Sequence, residues 1–170
     1  ANRDFRELAD MVAVEYFSKI QKTLRQHAPH KLYMGCRFND HYYPDEDRKT
    51  DWIVKIAAKY CDIVSFNRYR YSAIDIRPSD ADAPVLISEW HMGTLDRGLF
   101  HYTLRFAESQ ANRAEMYAHY LTSCLKNPCV VGAHWFDYCD EPATGRFDGE
   151  NFNTGLVDIC DNPYPEMASA

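Results

Sequence analysis

Four short apolar runs, each closing on polar or aromatic side chains, alternate with longer segments of helical period, and that alternation limits the folds open to this chain. The runs are "KLYMGCRF", "CDIVSFNRYRY", "VLISEW" and "CVVGAHWFDY". The first is apolar from Leu32 to Phe38. The second is apolar from Ile63 to Phe66 except for Ser65, as expected of a strand whose parallel sheet is covered by helices. The third, Val85 to Glu89, finishes an apolar strand on a carboxylate. Before the first run, Leu8, Met11, Val12, Tyr16, Ile20 and Leu24 recur at spacings near three and four, which predicts an amphipathic helix ended by Pro29. A polar loop, "NDHYYPDEDRKTD", leads to a second helix with Trp52, Ile53, Ile56, Ala57 and Tyr60 on one face. A Pro/Asp-rich loop, "AIDIRPSDADAP", precedes the third strand. A third helix is predicted from Ala111 to Lys126, with Ala114, Tyr117, Ala118, Leu121 and Leu125 inward, broken by Pro128.

Repeated βα units leave two architectures, an open doubly wound sheet and a (β/α)8 barrel. The open sheet would carry a glycine-rich phosphate loop after a strand. No G-x-G-x-x-G or G-x-x-x-x-G-K-[ST] occurs, and the chain has seven glycines in all. The strand ends instead carry Arg37, then Asn67, Arg68 and Tyr69, then Glu89, Trp90 and His91, then His134, Trp135 and Asp137. A barrel gathers its active site from such positions. A complete barrel takes eight strands and about 250 residues, whereas these 170 residues show four runs. The expectation is one partial α/β domain over 1–170, the C-terminal half of a TIM barrel, about strands five to eight with their helices, truncated at both ends. A last helix should begin in "NPYPEMASA".

Several function classes fall away. A net charge of -6 with scattered Lys and Arg offers no basic patch for nucleic acid. No stretch approaches the ~20 apolar residues of a membrane span. The six cysteines show no C-x-x-C spacing, and Cys36, Cys61 and Cys124 sit in apolar patterns as small buried hydrophobes. With no H-x-H or H-E-x-x-H pair, no metal site and no cofactor is expected. "FDGENFNTG" lacks the alternating ligands of a calcium loop and reads as a substrate-side loop in which Asp148, Glu150 and Asn153 offer polar contacts to a substrate. Ser65, Ser88 and Ser123 lack a G-x-S-x-G context, so nucleophilic serine chemistry is unsupported.

Glu89 is the residue on which the chemistry turns. At a barrel strand's end it could serve as nucleophile, general base, metal ligand or partner of an Arg. Trp90 and Trp135 would border the same pocket, where indoles stack on the C-H faces of sugar rings, and Arg37, Asn67 and His91 could bond hydroxyls. A carboxylate among aromatics and hydrogen bonders fits a glycosidase. Tyr69 or Tyr71 could donate to Glu89, which would favour its charged form and orient it.

"NRY", "ISEW" and "GAHWF" resemble the ends of strands six, seven and eight in the large clan of retaining (β/α)8 glycoside hydrolases. More closely, "YCDIVSFNRYRYS", "GTLDRGLFH" and "GAHWFDYCDEPATGRFDGENFNTGLVDICDNPYPE" resemble β-agarases of the GH50 type. The resemblance covers about Tyr33 to Glu166. It implies Glu89 as nucleophile, Tyr69 as its support and Trp135 as the floor of the sugar site; from their places at the last strand's end and in the following loop, His134, Asp137, Asp148 and Glu150 are expected among the substrate contacts. It implies a polysaccharide or oligosaccharide substrate and an extracellular or periplasmic protein. In the clan the acid/base is the Glu of an Asn-Glu pair ending strand four; no such dipeptide occurs in 1–170, so that group is expected in the upstream half of the same barrel, the chain's expected partner. Two other readings stay open: a carbohydrate-binding or inactive barrel fragment, and a clan relative acting on β-galactosides or β-mannans.

Overall fold

The computed structural model describes residues 2–39, 51–76 and 82–170. The polar loop at 40–50 and part of the Pro/Asp-rich loop, 77–81, lie outside the described residues. The elements run α1 (Asn2–His27), β1 (Arg37–Asn39), α2 (Asp51–Ala57), β2 (Val64–Asn67), β3 (Val85–Trp90), α3 (Gln110–Lys126), β4 (Val130–Trp135) and α4 (Pro165–Ala168). The four strands form one parallel sheet in the order β1-β2-β3-β4, so spatial order follows chain order without reversal.

Why these segments take these forms is local. Ser109 caps α3 by accepting from the Asn112 N–H at 3.2 Å, which satisfies one of the donors a helix start leaves free. Asn127 closes the other end, and its side-chain amide donates to the carbonyls of Ala73 and Ile76, each at 2.9 Å, pinning α3 to the loop after β2. α4 starts on Pro165, whose missing N–H costs nothing at a first helical position. Before β1 the chain turns at Gly35, with φ +62° and Cys61 Sγ only 2.6 Å from where a Cβ would sit, so no other residue fits there.

One face of the sheet builds the core. Phe38, Val64, Phe66, Val85, Ile87 and Trp90 pack with Ala13 and Phe17 of α1, Val54, Ile56 and Ala57 of α2, and Tyr120 and Cys124 of α3. Side chains alternate across a strand, so the opposite face receives Arg37, Ser65 and Asn67.

Five expectations need correction. The first apolar run pairs as a strand only over Arg37–Asn39. The connection from β2 to β3 holds no helix among its described residues. On α1 the buried residues are Ala13 and Phe17, which lie outside the predicted stripe; of the stripe, Ile20 and Leu24 are half-buried against the core, while Leu8, Met11, Val12 and Tyr16 are exposed. On α3 the buried face is Gln110, Arg113, Tyr120, Ser123 and Cys124, and Leu125 is 88% exposed. Polar residues occupy that face because they serve a buried network described below, and apolar periodicity is blind to that use. Cys124 is buried as expected, but Cys36 and Cys61 are only half-buried.

Candidate active site

Two neighbouring strands, β1 and β2, bring donors onto Glu89 near the end of β3. Arg37, the first residue of β1, donates through Nη1 to Glu89 Oε1. Asn67, the last of β2, donates through Nδ2 to Oε2 at 2.6 Å. Tyr69, two residues beyond β2, donates its hydroxyl to the same oxygen at 2.7 Å. Carboxylate oxygens accept hydrogen bonds, and here the two oxygens of Glu89 face three donors. Burial first, then the bond to Glu89, push the Tyr69 phenol above its ordinary range, so it remains a proton donor at neutral and moderately basic pH. The Arg37 side chain is 59% exposed and that of Glu89 12%. The Arg37 side of the carboxylate is therefore the one open to solvent.

Around this centre the chain after β4 folds back. His91 Nδ1 donates to the Phe136 carbonyl at 3.0 Å; a carbonyl only accepts, which assigns the neutral tautomer with its proton on Nδ1. Nε2 is buried without a partner. Burial pulls the ring down to about 3, and its centroid lies 4.5 Å from that of Tyr69. Arg146 gathers the loop beyond: it bonds Asp148 twice, at 2.7 and 3.2 Å, and pairs with Glu150. Its Nη1 stands 3.1 Å from Glu141 Oε1, an ion pair rather than an aligned hydrogen bond. Burial raises both Asp137 and Glu141 above the usual carboxylate range.

A deeper network holds this loop to α3. Arg113 donates to the carbonyls of Asn153 at 2.8 Å and Gly155 at 2.6 Å. Asn153 donates to Asp140 at 2.7 Å and to Tyr164 at 2.9 Å, and the Gly155 N–H reaches Asp140 at 2.8 Å. Among the described residues no group of His, Cys, Asp and Glu is arranged to hold a metal ion, and no helix is long and apolar enough to cross a membrane.

No family model matches the chain. β-Agarase B of Vibrio sp. (strain JT0107) is 40% identical over 176 residues, aligned to 99% of this chain and 18% of that protein. β-Agarase A of the same strain is 38% identical over 177 residues, aligned to 98% of this chain and 17% of its own length. The structure of an exo-β-agarase superposes with a TM-score of 0.86 at 41% identity, covering 98% of this chain and 22% of that one. The agarase AgWH50C gives 0.85 at 40%, covering 98% and 26%. This chain is homologous to the β-agarases. It spans about a fifth of the length of the curated relatives it matches. A β-galacturonidase from Eisenbergiella tayi, at 16% identity and a TM-score of 0.59 over 92% of this chain and 29% of its own, shares the fold alone.

The structure of this agarase homologue brings Arg37, Asn67 and Tyr69 onto Glu89, while Tyr71 lies apart, bonded to the Phe106 carbonyl at 3.4 Å. Trp90 does not border that site: it is 1% exposed, stacked 3.9 Å from the Tyr120 ring and 5.2 Å from Tyr117. As neighbours on a strand, Glu89 and Trp90 take opposite faces. His91, 2% exposed, cannot reach a sugar hydroxyl, and Asn153 is fully buried. Trp135 is half-buried edge-on to Trp90 at 4.7 Å and donates from its indole to the Thr154 carbonyl at 2.7 Å, contacts that tie it to the aromatic cluster beside α3. His134 is exposed at the end of β4, and Asp137 is half-buried, with Oδ1 3.5 Å from Thr154 Oγ1. Asp148 and Glu150 are held by Arg146, a residue that sequence reading passed over although "GRFDGE" sets it two and four positions before those carboxylates.

Proposed function

We propose that the chain carries the nucleophile side of a retaining β-agarase active site on the C-terminal half of a (β/α)8 barrel. The observation that carries this reading is the threefold donation onto Glu89 from the ends of β1 and β2 and from Tyr69. Support for the barrel comes from the unreversed parallel strand order, since a doubly wound sheet reverses at its switch point. The homology to agarases supports agarose or a related galactan as substrate.

In this mechanism Glu89 attacks the anomeric carbon and forms a covalent glycosyl-enzyme, while an acid outside these residues protonates the departing oxygen. Water then releases the sugar with its configuration retained. Tyr69 and Asn67 hold Oε2, which leaves Oε1, on the open side, as the attacking oxygen. The two carboxyl groups should lie ~5–5.5 Å apart, a gap too small for an inverting water. Asp137, Asp148, Glu150 and His134 are proposed as polar contacts to neighbouring sugar units, whereas Trp135, in register with Trp90 and packed in the same aromatic cluster, is not among the proposed sugar contacts.

The test is hydrolysis of agarose by the intact protein, followed by NMR of the newly formed anomeric centre. Neoagaro-oligosaccharides released with retention are expected, and Glu89→Gln should abolish turnover while oligosaccharide binding persists. Inversion would remove the nucleophile assignment. Cleavage of β-galactosides or mannan in place of agarose would keep the mechanism and change the substrate.

A further inference from the structure

β3 carries one residue more than β2 where their C-terminal ends meet. Phe66 is in register with Ile87, but Asn67 is in register with Glu89. The extra residue is Ser88. A bulge of this kind breaks the strict alternation of a strand and re-aims a side chain, and here Ser88 and Glu89 both reach Asn67. Ser88 Oγ donates to Asn67 Oδ1 at 3.0 Å, and Asn67 Nδ2 donates to Glu89 Oε2 at 2.6 Å.

A primary amide has one accepting end and one donating end. Whichever neighbour claims the first decides what the second faces. The Ser88 hydroxyl can donate and so claims Oδ1; the Glu89 carboxylate can only accept and so receives the NH2. Without the hydroxyl, Oδ1 has no donor among the described residues, and only the carboxylate's own demand for the NH2 opposes a half-turn of the amide, which would set a carbonyl oxygen against it. We propose that Ser88 is a positioning residue for Glu89, acting entirely through the orientation of the Asn67 amide. The serine touches no reacting atom. It fixes the polarity of the residue that does touch Glu89, and the bulge is the backbone feature that gives β3 room for both side chains.

The kinetic part of the test rests on the reading of Glu89 as nucleophile; the spectroscopic part does not. In the intact protein, Ser88→Ala and Ser88→Val, the latter the isostere of threonine without its hydroxyl, should lower kcat on agarose by about ten- to a hundredfold, the scale set by a small misplacement of a reacting group, with KM within about twofold. Ser88→Thr, which keeps the hydroxyl, should recover most of the rate. In an Asn67→Ala background, Ser88→Ala should cost nothing further, because coupled residues do not add. In 15N spectra the Asn67 side-chain amide should be protected from exchange in the wild type and in Ser88→Thr, and should move to solvent-exposed behaviour in Ser88→Ala. Unchanged kcat in Ser88→Ala and Ser88→Val, or a loss that adds in full to that of Asn67→Ala, overturns the proposal. So does an Asn67 amide signal indifferent to Ser88. A protein that cleaves no polysaccharide yet shows the Ser88-dependent amide signal would overturn the agarase reading and leave the positioning role standing.

Discussion

At Tyr69 the hydroxyl contributes one hydrogen bond to Glu89, and the ring contributes packing against His91. Tyr69→Phe removes the first and keeps the second. It should cut kcat by about ten- to a hundredfold while the unfolding midpoint stays nearly constant, which denaturation and turnover of the same preparation would separate. His91 makes the complementary prediction, because its burden is burial. Its folded pKa, about 3, lies below the unfolded value of 6.5, so the unfolded chain binds the extra proton. The contribution of His91 is therefore present above pH 6.5 and is lost as pH falls toward 3. In His91→Gln that loss disappears: the wild type's stability margin over the variant should shrink by about 2 kcal/mol between pH 7.5 and pH 5. Urea unfolding at the two pH values measures it, and a margin constant with pH would show that the ring titrates normally. Glu89 and Tyr69 were legible in the sequence because a carboxylate closing an apolar strand, with a tyrosine closing the one before, is a pattern of residue types. The burial of His91 was not, since "EWH" reads alike whether the chain turns outward after Trp90 or dives under the next strand's end, as it does here.

Elements show the same division. Strands β2 and β3 could be read from composition alone, while α3 was located correctly and its inward face only in part: Tyr117 and Leu121 do pack against the core, but its most buried residues lie elsewhere. The helix buries Gln110 and Arg113 because the loop after β4 presents carbonyls to them, and a period-based reading counts such residues as surface. Arg113 has no exposed area and burial pulls it down to about 10, so its charge depends on Asp140 nearby and on the carbonyls it serves. Removing one partner from a buried, paired set costs more than replacing the set, typically about 3–5 kcal/mol. Asp140→Ala should therefore destabilise the protein on that scale, and much of the loss should vanish when Arg113→Met is added, because the stranded charge goes with it. Equilibrium denaturation of the two single variants and the double variant checks this. Full additivity would mean that the network is a set of independent bonds. The bulge in β3 was equally hidden: Ser88 looks like an interruption of an apolar run, and only the register against β2 shows that it is the inserted residue.

Across the whole molecule the exposed half of α1 stands out. Phe5, Leu8, Val12 and Tyr16, with Trp52, Ile53 and Cys36, line an apolar groove of about 460 Å³. The spacing of Leu8, Val12 and Tyr16 is that of a core stripe, which is why the sequence predicts them as buried, yet among the described residues nothing covers them. Burying such a side chain fully is worth about 1.5–3 kcal/mol, so leaving four of them in water is a strong drive to association. The sheet adds to it, because among the described residues β1 and β4 each have one unpaired edge, and open edges invite pairing between chains. Relatives extend far beyond the aligned portion, and a further part of the proposed barrel packing on this stripe and these edges would account for both. Residues 1–170 expressed alone should then self-associate in sedimentation, release no reducing sugar from agarose, and become less associated in Leu8→Glu/Val12→Glu. In the intact protein the same pair of substitutions should lower the melting temperature, since there the stripe would be interior. A monodisperse 170-residue chain, together with an intact protein indifferent to Leu8→Glu/Val12→Glu, would show that this face is solvent surface and that the barrel closes elsewhere.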